Sequence, residues 1–179
     1  MIDDNGNPGL ATPALVLLSG LPGTGKTTFA HALLAAIRCI HIESDAVRRG
    51  MFATPRYSAW ENGAVFAEVE RRATAALTAG HVAVVDATNL ARRDRTRFLR
   101  LATKTGSRLV CVRVTAPEDV IRARLAAPRD GYSQADQRVY ELMRGKAQAF
   151  RSPVVVVDTR YDIGRSIELT QRLLKEPNL

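Results

Sequence analysis

Cysteine, aromatic residues and long apolar runs are all scarce in this chain, and each shortage closes off a class of protein. Two cysteines, Cys39 and Cys111, stand in 179 residues. Two thiols cannot build a disulfide framework, and alone they cannot close a structural zinc site. Both fall in apolar, strand-like runs, where a free buried thiol is the expected state. Aromatic residues make up 6% of the chain, so the core has to come from Ala, Val and Leu. No apolar run approaches the ~20 residues that a membrane-spanning helix requires. The first twelve residues hold Asp3 and Asp4 and no basic residue, without the basic-then-apolar layout of a secretory leader. The expectation is a cytoplasmic protein, with a loose polar tail over residues 1–12 and one domain over 13–179.

What is present is ordinary in amount and telling in arrangement. The chain is 46% hydrophobic and 25% charged, enough to bury a core and too much for global disorder. Its 26 basic residues exceed its 18 acidic ones, for a net charge of +8. That balance favours anionic partners such as nucleotides, phosphorylated metabolites or nucleic acid, without choosing among them.

Apolar runs suited to buried strands recur at 14–19, 38–42, 82–85, 108–114 and 154–157. Helical patterns fall between them, at about 26–37, 61–79, 91–104 and 135–149, and a last one at 164–175, with shorter helices after Ser44 and near Pro117. Five apolar strands separated by helices predict a three-layer α/β fold, a parallel sheet with helices on both faces. Ligands of such folds bind beyond the C-terminal ends of the strands. The chemistry-bearing residues fall there: 20–27 after the first strand, Asp45 after the second, 86–89 after the third and 158–160 after the fifth.

The strongest motif is Gly20-Leu21-Pro22-Gly23-Thr24-Gly25-Lys26-Thr27, which matches G-x-x-x-x-G-K-[ST] between a strand and a helix. At ordinary residue frequencies a chain of this length carries roughly 0.006 such matches by chance. Its glycines let successive backbone N–H groups converge on one anion, and the following helix adds its positive end. Lys26 is placed to reach β- and γ-phosphates and Thr27 to hold Mg²⁺, with Thr28 completing the loop. The expected ligands are therefore ATP and Mg²⁺.

Residues elsewhere decide what the loop serves. Asp45 can accept a hydroxyl proton from an attacking acceptor, or can simply cap a helix. Arg48, three residues on, shares its helical face and can hold an acceptor anion. Asp86, at the end of the third strand, suits a Mg²⁺ shell. Asn89 and the arginines after it form either an anion-binding wall, with Arg93 facing Arg97, Arg100 and Lys104 along one stripe, or a solvated basic face. Arg122, Arg124 and Arg129 flank a break at 127–134 that reads as a short lid. Tyr57 and Trp60 can stack on an acceptor or fill core. His31, His41 and His81 share no metal-ligand spacing and read as structural.

Taken together, residues 20–28, Ser44-Asp45-x-x-Arg48, Asp86-Ala-Thr-Asn89 and the arginines near 122–129 resemble small P-loop kinases. This broad group includes polynucleotide 5′-hydroxyl kinases, gluconate-type kinases, zeta-type toxins and many kinases labelled as AAA-type ATPases. The resemblance spans about residues 14–174. It implies a strand order 2-3-1-4-5, Asp45 as general base, Arg48 as acceptor clamp, and one of Arg122, Arg124 or Arg129 as a lid arginine on the donor phosphates. It also implies an adenine pocket at 158–160, with Arg160 beside the nucleotide. The implied activity is ATP-dependent transfer of a γ-phosphoryl group to a hydroxyl, on a polynucleotide 5′ end or a small metabolite. The short lid leaves room for a small acceptor. An acceptor-independent ATPase or regulator, and a toxin-like sugar-nucleotide kinase, are the alternatives. Monomer and homodimer both stay open.

Overall fold

The strand β1 (Ala14–Ser19) is buried along its whole length, as a strand covered by helices on both sides must be. A computed structural model describes residues 12–127, 137–151 and 153–176. After β1 come α1 (Lys26–Ala36), β2 (Ile40–Glu43), α2 (Ser44–Met51), α3 (Ala59–Thr78) and β3 (Val82–Asp86). They are followed by α4 (Arg92–Lys104), β4 (Arg108–Thr115), α5 (Glu118–Ala126), α6 (Gln137–Arg144), β5 (Val155–Asp158) and α7 (Gly164–Lys175). The sheet order is β2-β3-β1-β4-β5, and every pairing is parallel. This is the three-layer P-loop architecture and the strand order that the resemblance implied.

Alternation along β1 sends side chains to two separate cores. Ala14, Val16 and Leu18 pack with Phe29 and Leu33 of α1 and Ile167 and Leu174 of α7. Leu15 and Leu17 pack with Val65, Val69 and Ala73 of α3 and Phe98 and Leu101 of α4. Phe29 and Phe98, each fully buried, are the large side chains on the two faces; truncating either to Ala should cost about 3–5 kcal/mol. Because every strand points the same way, all five C-terminal ends open on one edge. Gly20, Ser44, Asp86 and Asp158 therefore come to the same rim.

Element ends depart from expectation in informative ways. β2 starts at Ile40 rather than Arg38, because Ile37 closes α1 in an extended conformation and Arg38 and Cys39 form the connection. α3 starts at Ala59, its first turn capped by the Ser58 hydroxyl, which accepts the Glu61 N–H at 3.1 Å. It stops where Gly80 takes φ +80° and His81 N–H reaches back to the Ala76 carbonyl. The helix expected at 135–149 runs only over Gln137–Arg144. Beyond it the Gln148 N–H donates to the Leu90 carbonyl, while Arg95 binds the carbonyls of Gln148 and Ala149. Those groups are claimed by another part of the chain, so the helix cannot use them. Of the lid expected at 127–134, all but Ala127 lies outside the described residues, and Arg129 with it.

Candidate active site

The loop after β1 is shaped by its own backbone. Gly20 N–H donates to the Thr88 carbonyl at 3.0 Å, tying the loop to the end of β3. The Leu21 carbonyl accepts the Thr24 hydroxyl at 2.8 Å and the Lys26 ammonium at 3.1 Å. Gly23 and Gly25 take φ +79° and +92°, left-handed values that curl N–H groups inward and that other L-residues adopt at a cost. Gly25 also caps α1, and a Cβ on it would lie 3.2 Å from the Thr159 methyl. Pro22 is buried beside the loop and Thr28 faces solvent on α1.

Lys26 stands among carboxylates contributed by three segments. Burial pushes its ammonium pKa down, and Asp86, Asp45 and Glu43 pull it back up. Asp86, 3% exposed, holds two donors on one oxygen: Thr27 Oγ1 at 2.8 Å and His41 Nε2 at 3.3 Å, both to Oδ2. Burial alone would raise the Asp86 pKa, but His41, Lys26 and Thr27 outweigh it, and the carboxyl stays below its usual range. Oδ1 takes no hydrogen bond among the described residues, which leaves one carboxylate oxygen for a hydrated cation. Glu43 pairs with Asp86 across β2 and β3; burial and then Asp86 push its carboxyl upward. Asp45 lies inside the first turn of α2, with Glu43 rather than Asp45 at the capping position. There the helix end favours its negative charge.

The acceptor side is built on α2 and α3. Arg48 is 5% exposed. One Nη donates to Asn62 Oδ1 at 2.6 Å, the other lies 3.7 Å from Glu61 Oε2, and the Tyr57 ring covers the guanidinium at 4.5 Å. Among the described residues its Nε and Nη1 have no hydrogen-bond partner. Glu61 is itself held by the Arg56 N–H at 2.8 and 3.0 Å. Tyr57 adopts φ +55°, an uncommon conformation for a tyrosine. Burial, followed by Asp45, pushes its phenol upward. Neither Tyr57 nor Trp60 fills core: they are 46% and 73% exposed, and Trp60 meets Phe52 edge-on.

The remaining arginines divide by use. Arg124 reaches the rim, but donates to the Thr159 hydroxyl at 2.7 Å, the Thr159 carbonyl at 3.0 Å and the Gly23 carbonyl at 3.4 Å. Thr159 in turn donates to the Thr24 carbonyl at 2.8 Å. Arg124 and Thr159 thus brace the phosphate loop from the 158–160 side. Arg160 pairs with Asp158 at 2.8 Å and lies over the exposed Tyr161. Arg122 joins Glu118 and Glu141, linking α5 to α6. Arg93 is not brought to the site: its side chain is 90% exposed and meets only Asp94 at 3.6 Å. Arg97 packs over Phe66 and approaches Glu70. Asn89 is fully buried and takes φ +43°; its Nδ2 donates to the Leu18 carbonyl at 2.7 Å, so its side chain points into the fold rather than toward an acceptor.

Sequence reasoning took His41 as structural, placed Thr159 only within the 158–160 loop, and gave Glu43 no role. The signal for His41 and Glu43 was a two-residue spacing that puts them on one face of β2, toward its C-terminal end.

The donor set fits a magnesium nucleotide. An oxygen-only pair, Thr27 and Asp86, suits a hard cation. Two left-handed glycines shape the loop, and among the described residues the Lys26 ammonium hydrogen-bonds to the Leu21 carbonyl alone.

Known proteins agree with the fold. Uncharacterized protein Rv2004c of Mycobacterium tuberculosis is 33% identical over 141 residues, covering 72% of this chain. The chain spans 28% of that relative's length. Mycobacterium tuberculosis APS kinase CysC, solved in complex with AMPPNP and APS, superposes with a TM-score of 0.70 at 17% identity, over 92% of this chain and 99% of CysC. A gluconokinase from Sinorhizobium meliloti gives 0.66 at 19% identity, over 90% and 91%. Residues 15–150 match the family model AAA_33, an AAA domain, and the chain belongs to that family.

Proposed function

We propose that this chain is an ATP-dependent phosphotransferase that moves a γ-phosphoryl group to a hydroxyl acceptor. The observation that carries the reading is what gathers at one rim with Lys26: Asp86 holding the Thr27 hydroxyl at 2.8 Å, Glu43 in register beside Asp86, and Asp45 in the first turn of α2. A loop that only held nucleotide would need the cation-binding carboxylate; a second carboxylate at the start of α2, with a buried arginine three residues on, is what an acceptor requires.

In this reading the loop N–H groups and Lys26 hold the donor phosphates, and Thr27 with Asp86 would hold Mg²⁺. Bound Mg²⁺ supplies charge neutralisation on the phosphate oxygens. Asp45 accepts the proton of the acceptor hydroxyl as that oxygen bonds to the γ-phosphorus. The bond from phosphorus to the β–γ bridging oxygen breaks, and ADP carries away the electron pair. Arg48 orients the acceptor against Asp45. Arg124 and Thr159 keep the loop in shape, and Arg160 borders the nucleotide end. Arg129 is the candidate for a lid cation. Most of the catalysis is positioning and electrostatic stabilisation.

The test offers γ-labelled ATP and Mg²⁺ with hydroxy acids, sugars, sugar phosphates, nucleosides and a 5′-hydroxyl oligonucleotide. Label should move to a hydroxyl compound. In Asp45→Asn, kcat should fall about 10²–10⁴-fold while ATP affinity stays within twofold. Free labelled phosphate with no acceptor modified would replace this reading by an acceptor-independent ATPase, and full transfer by Asp45→Asn would remove Asp45 as the base.

A further inference from the structure

Arg113 interrupts an otherwise apolar stretch of β4, a strand with neighbours on both sides. Its partner in register is Ser19, the last residue of β1. It therefore sits where the C-terminal ends of two adjacent parallel strands meet the phosphate loop, on the same sheet face as Cys111. Arg113 is exposed, and among the described residues it makes no hydrogen bond and no ion pair.

Arg113 lines a cavity of 170 Å³ together with Ser19, Gly20, Arg95, Tyr140 and Gln148. Arg95 is the second cation of this wall, and it is already occupied. Its two Nη atoms donate to the carbonyls of Asn89, Leu90, Gln148 and Ala149. Burial depresses the Arg95 pKa first, and the positive charge of Arg113 adds to that depression. The two cations thus repel each other across the cavity, and among its lining residues there is no carboxylate to offset them. An anion entering there is drawn by both charges and meets, on Arg113, a charged fork without a hydrogen bond among the described residues.

We infer that this cavity beside the phosphate loop receives the anionic group of a small acceptor, a carboxylate or a phosphate, on Arg113. The volume sets the scale. Sites for drug-sized ligands run to ~300–1,000 Å³, so 170 Å³ takes an anionic head with a short carbon skeleton. The acceptor class is a compact hydroxy acid or a phosphorylated polyol. The assignment of this anion as part of the acceptor rests on the proposed phosphotransfer; the anion site itself does not.

Two measurements separate the two claims. In the first, inorganic phosphate and malonate are titrated into protein whose phosphate loop is saturated with ADP, in the parent, Arg113→Gln and Arg113→Lys. The parent should bind one of these anions. Arg113→Gln should weaken that binding about ten- to a hundredfold, as loss of charged hydrogen bonds predicts, and Arg113→Lys should restore part of it. ADP affinity, unchanged across the three, reports that the fold is intact. Equal binding in all three, or none in the parent, overturns the site. In the second, transfer from labelled ATP is compared between hydroxy acids, sugar phosphates and a 5′-hydroxyl oligonucleotide. A raised acceptor KM in Arg113→Gln, with the KM for ATP unchanged, supports the acceptor role and names the anion. Transfer confined to the oligonucleotide, with an unaltered KM in Arg113→Gln, overturns it. Arg113-dependent anion binding without any transfer would keep the site and fail the phosphotransferase reading.

Discussion

Replacing Arg95 by Met should unfold the chain several degrees earlier, although Arg95 belongs to the most basic stretch of the sequence. Arg95 is 8% exposed and its guanidinium lies over the Phe150 ring at 4.3 Å. Its four carbonyl acceptors do not lose equally. Asn89 O keeps the Ser19 hydroxyl at 3.1 Å, and Leu90 O keeps the Gln148 N–H at 3.1 Å. Gln148 O and Ala149 O lose the donor that holds them. Hydrogen bonds from a charged donor contribute about 1.5–3 kcal/mol each, and a desolvated cation–π contact about 1–2 kcal/mol. Removing a cation whose burial is costly returns part of this, and Met keeps an apolar stem on Phe150. The net loss is about 3 kcal/mol, or about 6–12 °C in Tm for a chain of this size. Thermal and urea denaturation would measure it. Hydrogen exchange at the Gln148 amide should accelerate with it, because Arg95 clamps the segment that carries that N–H against the 89–90 loop. A loss below about 1 kcal/mol, with Gln148 exchange unchanged, would refute the view that this arginine is a structural clamp and return it to the solvated face.

Two further outcomes follow from groups outside the phosphate loop. His41→Asn should raise the Mg²⁺ concentration needed for half-maximal nucleotide-dependent stabilisation about three- to tenfold, leaving metal-free ADP affinity unchanged, because His41 fixes the Asp86 oxygen that Thr27 shares; calorimetry with and without Mg²⁺ checks it, and an unchanged Mg²⁺ requirement would make His41 a packing residue only. Burial raises the Cys39 thiol from 9.0 to about 11, so at pH 8 its thiolate fraction, and its rate with a thiol-specific reagent, should lie about a hundredfold below that of the unfolded chain. The raised value means that Cys39 favours the fold below pH 9, and that this contribution disappears as the pH climbs through about 11.

The donor half of the site was legible because it is local. A loop of eight consecutive residues carries its own glycines, lysine and hydroxyl, and the flanking strand and helix follow from an apolar run and a 3.6-residue period. The sheet order came with the resemblance. The groups that support the loop and its carboxylate were not legible to the same degree because they are assembled by pairing and register. His41 meets Asp86 only because β2 lies beside β3, and Thr159 reaches the Thr24 carbonyl only because β5 ends on the same rim. Asn89 illustrates the reverse error. Its position two residues after a strand end made it a candidate for acceptor binding, yet the chain turns there through φ +43° and its amide serves the Leu18 carbonyl. Nothing in the sequence pattern separates an amide that faces a ligand from one that closes a turn.

The net charge of +8 pointed to an anionic partner, but net charge counts arginines without regard to what they already hold. Arg48 gives one Nη to Asn62 beneath the Tyr57 ring, while Arg95 is engaged by four carbonyls, Arg124 by Thr159 and Gly23, and Arg122 by Glu118 and Glu141. Each of these lies near the rim and each spends donors on the protein's own groups. Arg93 keeps its donors nearly free, but in solvent, where a lone phosphate contact contributes little. Among the described residues Arg113 combines a fork without hydrogen bonds with a place in the cavity beside the phosphate loop, on a strand whose other central residues are apolar. Charge in excess therefore says less about the ligand than one arginine without a hydrogen bond or ion pair among the described residues, and it is at Arg113 that a search for the acceptor should begin.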